Sequence, residues 1–338
     1  MELDYLLLIA GFIILIKGAD LFVDGSVLIS EHYGIPSLII GLTVVAMGTS
    51  APEAAVSITA AVDGSNGIAV GNVLGSNMFN LLMVLGVAAI IKPLPVGKSV
   101  LRLQMPISMI ATALLPLLAL NFFTEDGDPL LSRLDGIIFA GMFIAFLLLT
   151  IRSAKKQAEE SDKLPQPAEE EKASSSAEED FKGDDKDNKK SRLGKGLLFA
   201  VIGIAGVAGG GKLVVYSATN IAESFGIDQT LIGLTIVAIG TSLPELVTSA
   251  VAAAKGETDI AVGNVVGSNI FNLLFVLSLS VIVNPITVKY ISLIDCMILL
   301  GVSVLALIIF VISRRLNRAW GVIFVLLYAA YTAYIILR

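Results

Sequence analysis

Two glutamates stand in the middle of apolar segments, where a charge is costly. Glu53 and Glu245 each end a Gly-Thr-Ser-X-Pro-Glu motif, at residues 48–53 and 240–245. An ionised carboxylate in such surroundings persists when it faces a polar cavity or pairs with a cation. The motif's hydroxyls add hard oxygen ligands, which suit Ca²⁺ better than copper or zinc. A packing core of small residues explains the glycines and serines but not the charge, so the motif predicts a cation site.

A proline precedes each glutamate inside the predicted helix. Pro52 and Pro244 lack a backbone donor and crowd the carbonyl four residues earlier, at Gly48 and Gly240. A carbonyl freed in this way inside a membrane must find another partner, and a cation is a suitable one. Both helices are therefore predicted to be interrupted at the motif.

A second motif, Gly-Asn-Val-X-Gly-Ser-Asn-X-Phe-Asn, occupies residues 71–80 and 263–272. Its small residues permit close helix contact. The Ser and the last Asn of each copy are four residues apart and so share a helix face. The Asn at the second position, Asn72 or Asn264, is predicted to have a structural role in capping or packing.

The two motifs belong to one internal repeat. Residues 41–86 align with residues 233–278 at a constant offset of 192 without a gap, and 29 of the 46 positions are identical. Polar residues match as closely as apolar ones, which low-complexity apolar sequence would not produce. The chain is therefore predicted to consist of two related halves.

Composition places these halves in a membrane. The chain is 55% hydrophobic and 15% charged, and 22 of its 52 charged residues fall in residues 153–195. The remainder has long, nearly uncharged stretches of transmembrane length. We predict ten helices, at 3–29, 35–61, 67–91, 103–122, 132–152, 196–222, 229–253, 259–283, 290–312 and 319–337.

An odd number of crossings in each half determines how the halves are related. Five helices lie in residues 1–152 and five in residues 196–338, so the second half must be inverted in the membrane relative to the first. The expected fold is an all-α membrane protein with ten transmembrane helices in two inverted five-helix repeats. Such repeats place the substrate site near the midplane, where interrupted helices meet.

The distribution of Lys and Arg in short loops predicts the orientation. It places both termini outside and residues 153–195 in the cytoplasm, with Lys289 as the one clear exception. The composition of residues 153–195 predicts a disordered tether. With one His and one Cys, the chain offers almost no nucleophile–base pair, and no enzyme is expected. No basic patch indicates nucleic acid.

Two further charges lie within the first predicted helix. Lys17 and Asp20 are three residues apart, a spacing that permits an ion pair between them, and we interpret both as structural or interfacial residues. The position equivalent to Asp20 in the second half is Lys212, so the repeat symmetry fails there.

At these motifs the sequence resembles the calcium/cation antiporter superfamily, and specifically prokaryotic sodium/calcium exchangers. The resemblance covers the whole chain. It implies a cluster of four cation sites for which sodium and calcium would compete. We expect a multi-pass protein of the cell's inner (plasma) membrane, with calcium and sodium as transported ions, no cofactor and a monomer as the unit. The first and sixth helices would slide as a bundle against the rest. The ligands carried over by position are Glu53, Glu245, Asn80, Asn272, Thr49, Thr241, Ser50, Ser242, Ser76 and Ser268, with the backbone oxygens of Ala46 and Ala238.

One position departs from the family pattern, and three alternatives stay open. Asn272 stands where the family often has Asp, which argues against potassium cotransport and removes one proton carrier. The leading hypothesis is calcium extrusion driven by sodium entry. The alternatives are calcium/proton exchange on the same scaffold, a cation channel, and an enzyme such as an intramembrane protease.

Overall fold

The computed structural model describes residues 2–120, 129–163, 185–226 and 238–337. Within them the chain is almost entirely helical, with four two-residue strands. The helices are α1 Glu2–Tyr33, α2 Ser37–Thr49, α3 Ala51–Val62, α4 Gly67–Ile91, α5 Val100–Ala119, α6 Arg133–Lys163, α7 Asp185–Ser224, α8 Ala238–Thr241, α9 Leu243–Lys255, α10 Thr258–Val283, α11 Tyr290–Ser313 and α12 Arg318–Leu337. The strands are β1 Leu94–Pro95, β2 Leu130–Leu131, β3 Ile286–Thr287 and β4 Arg315–Leu316.

Eight helices among the described residues are long and apolar enough to cross a membrane. The pair α2 and α3, bent by 50° at their junction, makes a ninth span if counted as one. The tenth predicted helix, 229–253, begins in residues 227–237, which lie outside the described part of the chain. The protein is thus a multi-span membrane protein.

Helices α4 and α10 form the centre of the molecule, because they are the most deeply buried of the candidate spans. Each contains a π-helical turn, Phe79–Val84 in α4 and Asn272–Val276 in α10. Helix α2 lies against α10 at two glycines of the second motif. A Cβ at Gly263 would lie 2.7 Å from the carbonyl oxygen of Leu38, and one at Gly267 would lie 2.6 Å from that of Leu42. This contact confirms the predicted close helix packing for the second copy of the motif, whereas a Cβ at Gly71 or Gly75 of the first copy would meet no heavy atom of the described residues within 4 Å.

Helices α1 and α7 form an antiparallel pair whose backbones touch. Glycines seven residues apart on each helix lie at the contact: Gly11, Gly18 and Gly25 on α1, and Gly196, Gly203 and Gly210 on α7. A Cβ at Gly18 would lie 2.6 Å from the backbone nitrogen of Val207, and one at Gly210 would lie 2.5 Å from that of Leu15. Because the touching atoms belong to the backbone, no side-chain rotation could relieve an added methyl group.

A Gly210→Ala substitution is therefore expected to lower the thermal unfolding temperature by several degrees, as overpacking costs about 1–3 kcal/mol. Gly209→Ala is the matched control, because a Cβ at Gly209 would meet no heavy atom of the described residues within 4 Å. Unfolding can be followed with a thiol-reactive dye, since the single cysteine, Cys296, is buried. Equal unfolding temperatures for the two variants would contradict this packing.

The four short strands, which the sequence did not predict, join the two halves. Strand β1 pairs antiparallel with β4, and β2 pairs antiparallel with β3. Strands β1 and β3 occupy equivalent positions of the two halves, 192 residues apart. They lie in the loops after α4 and α10, and each pairs with a strand of the opposite half.

The long helices extend further into the charged segment than predicted. Helix α6 continues to Lys163 and α7 begins at Asp185, whereas the boundaries were expected at 152 and 196. Residues 154–163 read AKKQAEESDK and are rich in strong helix formers, which explains the extension of α6. The rest of the predicted tether, 164–184, lies outside the described residues, and its disorder stays a prediction.

The ion pair between Lys17 and Asp20 that their spacing permits does not occur in the described part of the chain, and Asp20 has its structural role in another ion pair. Asp20 instead forms an ion pair with Lys255 at the end of α9, in which Asp20 Oδ1 lies 2.7 Å from Lys255 Nζ. Helix spacing favours neighbours on the same helix, but α1 packs against α9 and brings a basic group from a distant part of the sequence to Asp20.

Candidate cation site

The predicted interruptions are present at both copies of the first motif. Ser50 separates α2 from α3 with φ −83° and ψ 9°, and Ser242 separates α8 from α9 with φ −93° and ψ 6°. Each proline then lies in the first turn of the following helix, where its missing N–H breaks no helical hydrogen bond. Glu53 and Glu245 occupy the same first turns, near the positive end of the helix dipole.

The two copies meet through crossed hydrogen bonds. The hydroxyl of Ser50 donates to Oε1 of Glu245 at 2.7 Å, and the hydroxyl of Ser242 donates to Oε1 of Glu53 at 2.9 Å. All four residues are fully buried. The other carboxylate oxygen, Oε2, has no hydrogen-bond partner at either glutamate among the described residues. The site thus contains two buried carboxylates from opposite halves, each with an acceptor left over.

The asparagines at the second position of the second motif hold the glutamate helices in place. Asn264 donates to the hydroxyl of Ser249 at 2.9 Å and to the carbonyl oxygen of Glu245 at 3.4 Å. Its Oδ1 accepts a hydrogen bond from the hydroxyl of Thr49 at 3.0 Å. Asn264 therefore connects both halves at the site.

Asn72 repeats part of this arrangement in the first half. It donates to Ser57 Oγ at 2.9 Å and to the carbonyl oxygen of Glu53 at 3.2 Å. These bonds agree with the structural role predicted for Asn72 and Asn264, and they show that the helix being fixed is the one that carries the glutamate.

The last asparagines of the motif lie at the π-helical turns, which are often found at functional sites. The amide nitrogen and the amide oxygen of Asn80 are both buried, and neither has a hydrogen-bond partner among the described residues. Asn272 Nδ2 donates to Asn77 Oδ1 at 3.3 Å, and Asn272 Oδ1 has no such partner. The two amides are therefore equivalent in sequence but not in hydrogen bonding.

The remaining candidates lie around this centre. Ser76 Oγ is buried without a hydrogen-bond partner in the described part, whereas Ser268 Oγ donates to the carbonyl oxygen of Ala46 at 3.5 Å. That carbonyl also accepts the backbone N–H of Ser50 at 3.0 Å. Ala238 opens α8, whose Thr241 interacts with the carboxylate of Glu53.

Sequence reasoning did not single out Asn77 and Asn269 as contact residues. Each donates its Nδ2 hydrogen to the backbone oxygen of the other, both at 3.2 Å. These two bonds fix α4 against α10 beside the site. The signal available in the sequence was that Asn77 and Asn269 occupy the same position of the repeated motif, 192 residues apart.

The donor set is suited to a hard cation. It consists of carboxylate, amide, hydroxyl and backbone oxygens, which are the ligands of Ca²⁺ and of other hard ions. No group of three or more His, Cys, Asp or Glu side chains that could hold a metal occurs in the described ranges. Two carboxylates would balance the charge of one divalent or two monovalent cations.

The family profile described as sodium/calcium exchanger protein matches residues 3–152 and 195–337. The chain is 31% identical over 349 residues to the sodium/calcium exchanger MaX1 of Methanosarcina acetivorans, covering 97% of each chain. It is 36% identical over 282 residues to the inner membrane protein YrbG of Escherichia coli, covering 82% of this chain and 79% of that one.

A solved structure of the sodium-calcium exchanger NCX_Mj, soaked with 10 mM Na⁺ and no Ca²⁺, has the same fold. It superposes with a TM-score of 0.80 at 29% identity and covers 98% of both chains. The family profile covers both halves, and the exchanger MaX1 and the exchanger structure match almost the whole chain. The chain therefore belongs to the sodium/calcium exchanger protein family, whose members are transporters rather than enzymes.

Proposed function

We propose that this protein is a secondary antiporter that exchanges sodium for calcium by alternating access. The observation that carries the proposal is the crossed pair of buried carboxylates, each bonded to a serine of the opposite half. A buried ionised carboxylate with a spare acceptor oxygen is stabilised by a cation. Two such groups beside neutral oxygens create a site in which sodium and calcium compete.

The proposed architecture is two inverted five-helix halves, residues 1–152 and 196–338, with ten crossings in all. The reciprocal contacts support it, because the bonds of Ser50, Asn72 and Asn77 recur 192 residues later. Both termini would lie outside the inner membrane and residues 153–195 in the cytoplasm, as the loop charges suggest. A monomer would suffice, since both halves of the site come from one chain.

The proposed ligands are the set expected from the resemblance. The carboxylates and amides at the centre are Glu53, Glu245, Asn80 and Asn272. Hydroxyl and backbone oxygens would complete the shell, from Thr49, Thr241, Ser50, Ser242, Ser76, Ser268, Ala46 and Ala238. The unpartnered oxygens of Glu53, Glu245 and Asn80 are the strongest structural support within this set.

Calcium/proton exchange is the second candidate. The free Oε2 oxygens of Glu53 and Glu245 favour it, because each could hold a proton in place of a metal ion. With Asn at both 80 and 272, these two glutamates would be the proton carriers.

Calcium uptake into proteoliposomes loaded with sodium and diluted into sodium-free buffer distinguishes the candidates. With equal pH on both sides, we expect uptake that requires the sodium gradient and persists with a protonophore. Uptake driven by a proton gradient and indifferent to sodium would replace sodium by protons as the driving ion. Calcium currents through single open channels would reject an antiporter altogether.

Deletion of residues 161–186 is expected to leave calcium exchange within about twofold of the full chain, because no proposed ligand lies there. Initial uptake rates at several calcium concentrations would check this. Loss of calcium activation in the shortened chain would instead assign a regulatory role to the charged segment.

A further inference from the structure

The end of α9 is joined to α1 by charge. Lys255 Nζ lies 2.7 Å from Asp20 Oδ1 and 2.6 Å from Asp24 Oδ1, and it also donates to the backbone oxygen of Asp20 at 3.1 Å. Asp20 and Asp24 are four residues apart and present one face of α1 to the lysine. Because α9 also carries Glu245, this contact fastens a helix of the cation site to α1.

Apolar packing extends the same contact toward the site. Leu243, Val247 and Val251 on α9 pack against the cluster of Leu15, Ala19 and Val207 on α1 and α7. On this side of the molecule the α1–α7 pair is therefore closed over the helix that carries the glutamate.

The repeat predicts a matching contact in the other half. Subtracting 192 from Lys255 gives Asp63, at the end of α3, and adding 192 to Asp20 gives Lys212, on α7. The charges are exchanged but remain complementary. The charge changes sign between the two halves both at Asp20 and at Lys255. Each of the two contacts therefore keeps one acidic and one basic residue.

The matching contact is open in this structure. Lys212 and Asp63 are both exposed and, within the described ranges, form no ion pair. Ala51, Ala55 and Thr59, the equivalents of Leu243, Val247 and Val251, are exposed as well. Helix α7 has almost no contact with α3, although α1 packs along α9.

We propose that these residues form two alternating latches, Lys255 with Asp20 and Asp24 on one side and Lys212 with Asp63 on the other. This inference rests on the proposed alternating access. In inverted repeats, the opposite state arises when the halves exchange their arrangements. Lys212 then reaches Asp63 as α7 closes over α3, and Lys255 separates from Asp20 and Asp24 as α1 leaves α9. By the proposed orientation, the closed latch here is the cytoplasmic one.

The strength of the latches fits a reversible switch. The side chains of Lys255, Asp20 and Asp24 are 27%, 40% and 47% exposed. Ion pairs at such positions shift an equilibrium by about two- to fivefold each. That bias is enough to favour one state and small enough for ion binding to overcome.

The test measures the reaction of Ala55→Cys with a water-soluble maleimide, in a Cys296→Ala background. Lys212→Asp places two acids at the open latch and is expected to speed labelling by up to about twofold, because closure of α7 over α3 is disfavoured in a protein whose favoured state already exposes Ala55. Adding Asp63→Lys restores a complementary pair and should return the rate to its starting value. Lys255→Gln releases the closed latch and should slow labelling about threefold.

Lys98→Asp, a charge reversal at an exposed residue just before α5, is the control and should leave the rate unchanged. Lys212 and Asp63 are exposed, so these variants should fold. Unchanged labelling in Lys212→Asp, or failure of Asp63→Lys to restore the rate, would overturn the proposal. Labelling does not depend on which ion is carried. If the expected labelling were found without sodium-driven calcium uptake, only the identity of the exchanged ions would be rejected, and the two latches would stand.

Discussion

Glu53→Gln and Glu245→Gln are each expected to abolish calcium exchange while the protein stays folded. Glutamine keeps the size of the side chain and an oxygen that can accept the bond from Ser242 or Ser50. It removes one of the two charges that balance the cation. Losing one partner of a buried charge pair costs about 2–5 kcal/mol, or roughly 30- to several thousandfold in affinity.

The measurement is calcium uptake by each variant in sodium-loaded proteoliposomes, with gel filtration to confirm folding. Glu31→Gln is the matched control, because Glu31 forms an exposed ion pair with Arg192 at 2.9 Å, and exposed pairs contribute little. Uptake close to that of the unmodified protein in both glutamate variants would exclude this pair as the cation site.

Asn264→Leu is expected to weaken calcium binding about 10- to 100-fold, as for other residues that orient metal ligands. Leucine has the same number and branching of side-chain heavy atoms but cannot replace the bonds to Thr49, Ser249 and the Glu245 backbone. Helix α9 would lose these hydrogen bonds to α10, and Thr49 would lose its hydrogen bond to Asn264. The buried hydroxyl of Ser249 would also be left without this partner.

Equilibrium binding of radioactive calcium checks this prediction, with thermal unfolding measured in parallel. Asn284→Leu is the control, since Asn284 lies just beyond the C-terminal end of α10 and, among the described residues, its side chain bonds to a backbone oxygen, Ala61 O, at 2.9 Å. An unchanged calcium affinity in Asn264→Leu, or an equal loss in Asn284→Leu, would show that Asn264 does not position the ligands.

Local rules were sufficient for the helices and for the breaks within them. Long apolar stretches located most boundaries of the described helices to within a few residues, except where α6 and α7 extend eleven residues further into the charged segment. Pro52 and Pro244 located the interruptions, because a missing N–H acts on its own helix. The repeat also related Ser50 to Ser242 and Glu53 to Glu245, so the meeting of the two copies followed from one offset.

Contacts between distant segments could not be derived in the same way. The pairing of Asp20 with Lys255 depends on how α1 lies against α9, which helix spacing does not encode. The β1–β4 and β2–β3 pairs involve only two residues per strand, too short for a period-two pattern. The difference between Asn80 and Asn272 arises from side-chain orientation at equivalent positions, and identical residues in the two motifs gave no sign of it.

Competition between sodium and calcium at equilibrium tests the central claim most directly. Purified protein would be titrated with radioactive calcium at fixed sodium concentrations, alongside Glu53→Gln. We predict that sodium displaces all bound calcium with a sigmoidal dependence, because more than one sodium ion replaces each calcium ion, and that Glu53→Gln binds no calcium in the same range. Calcium binding that is indifferent to sodium, or intact in Glu53→Gln, would contradict a shared site built on the two glutamates.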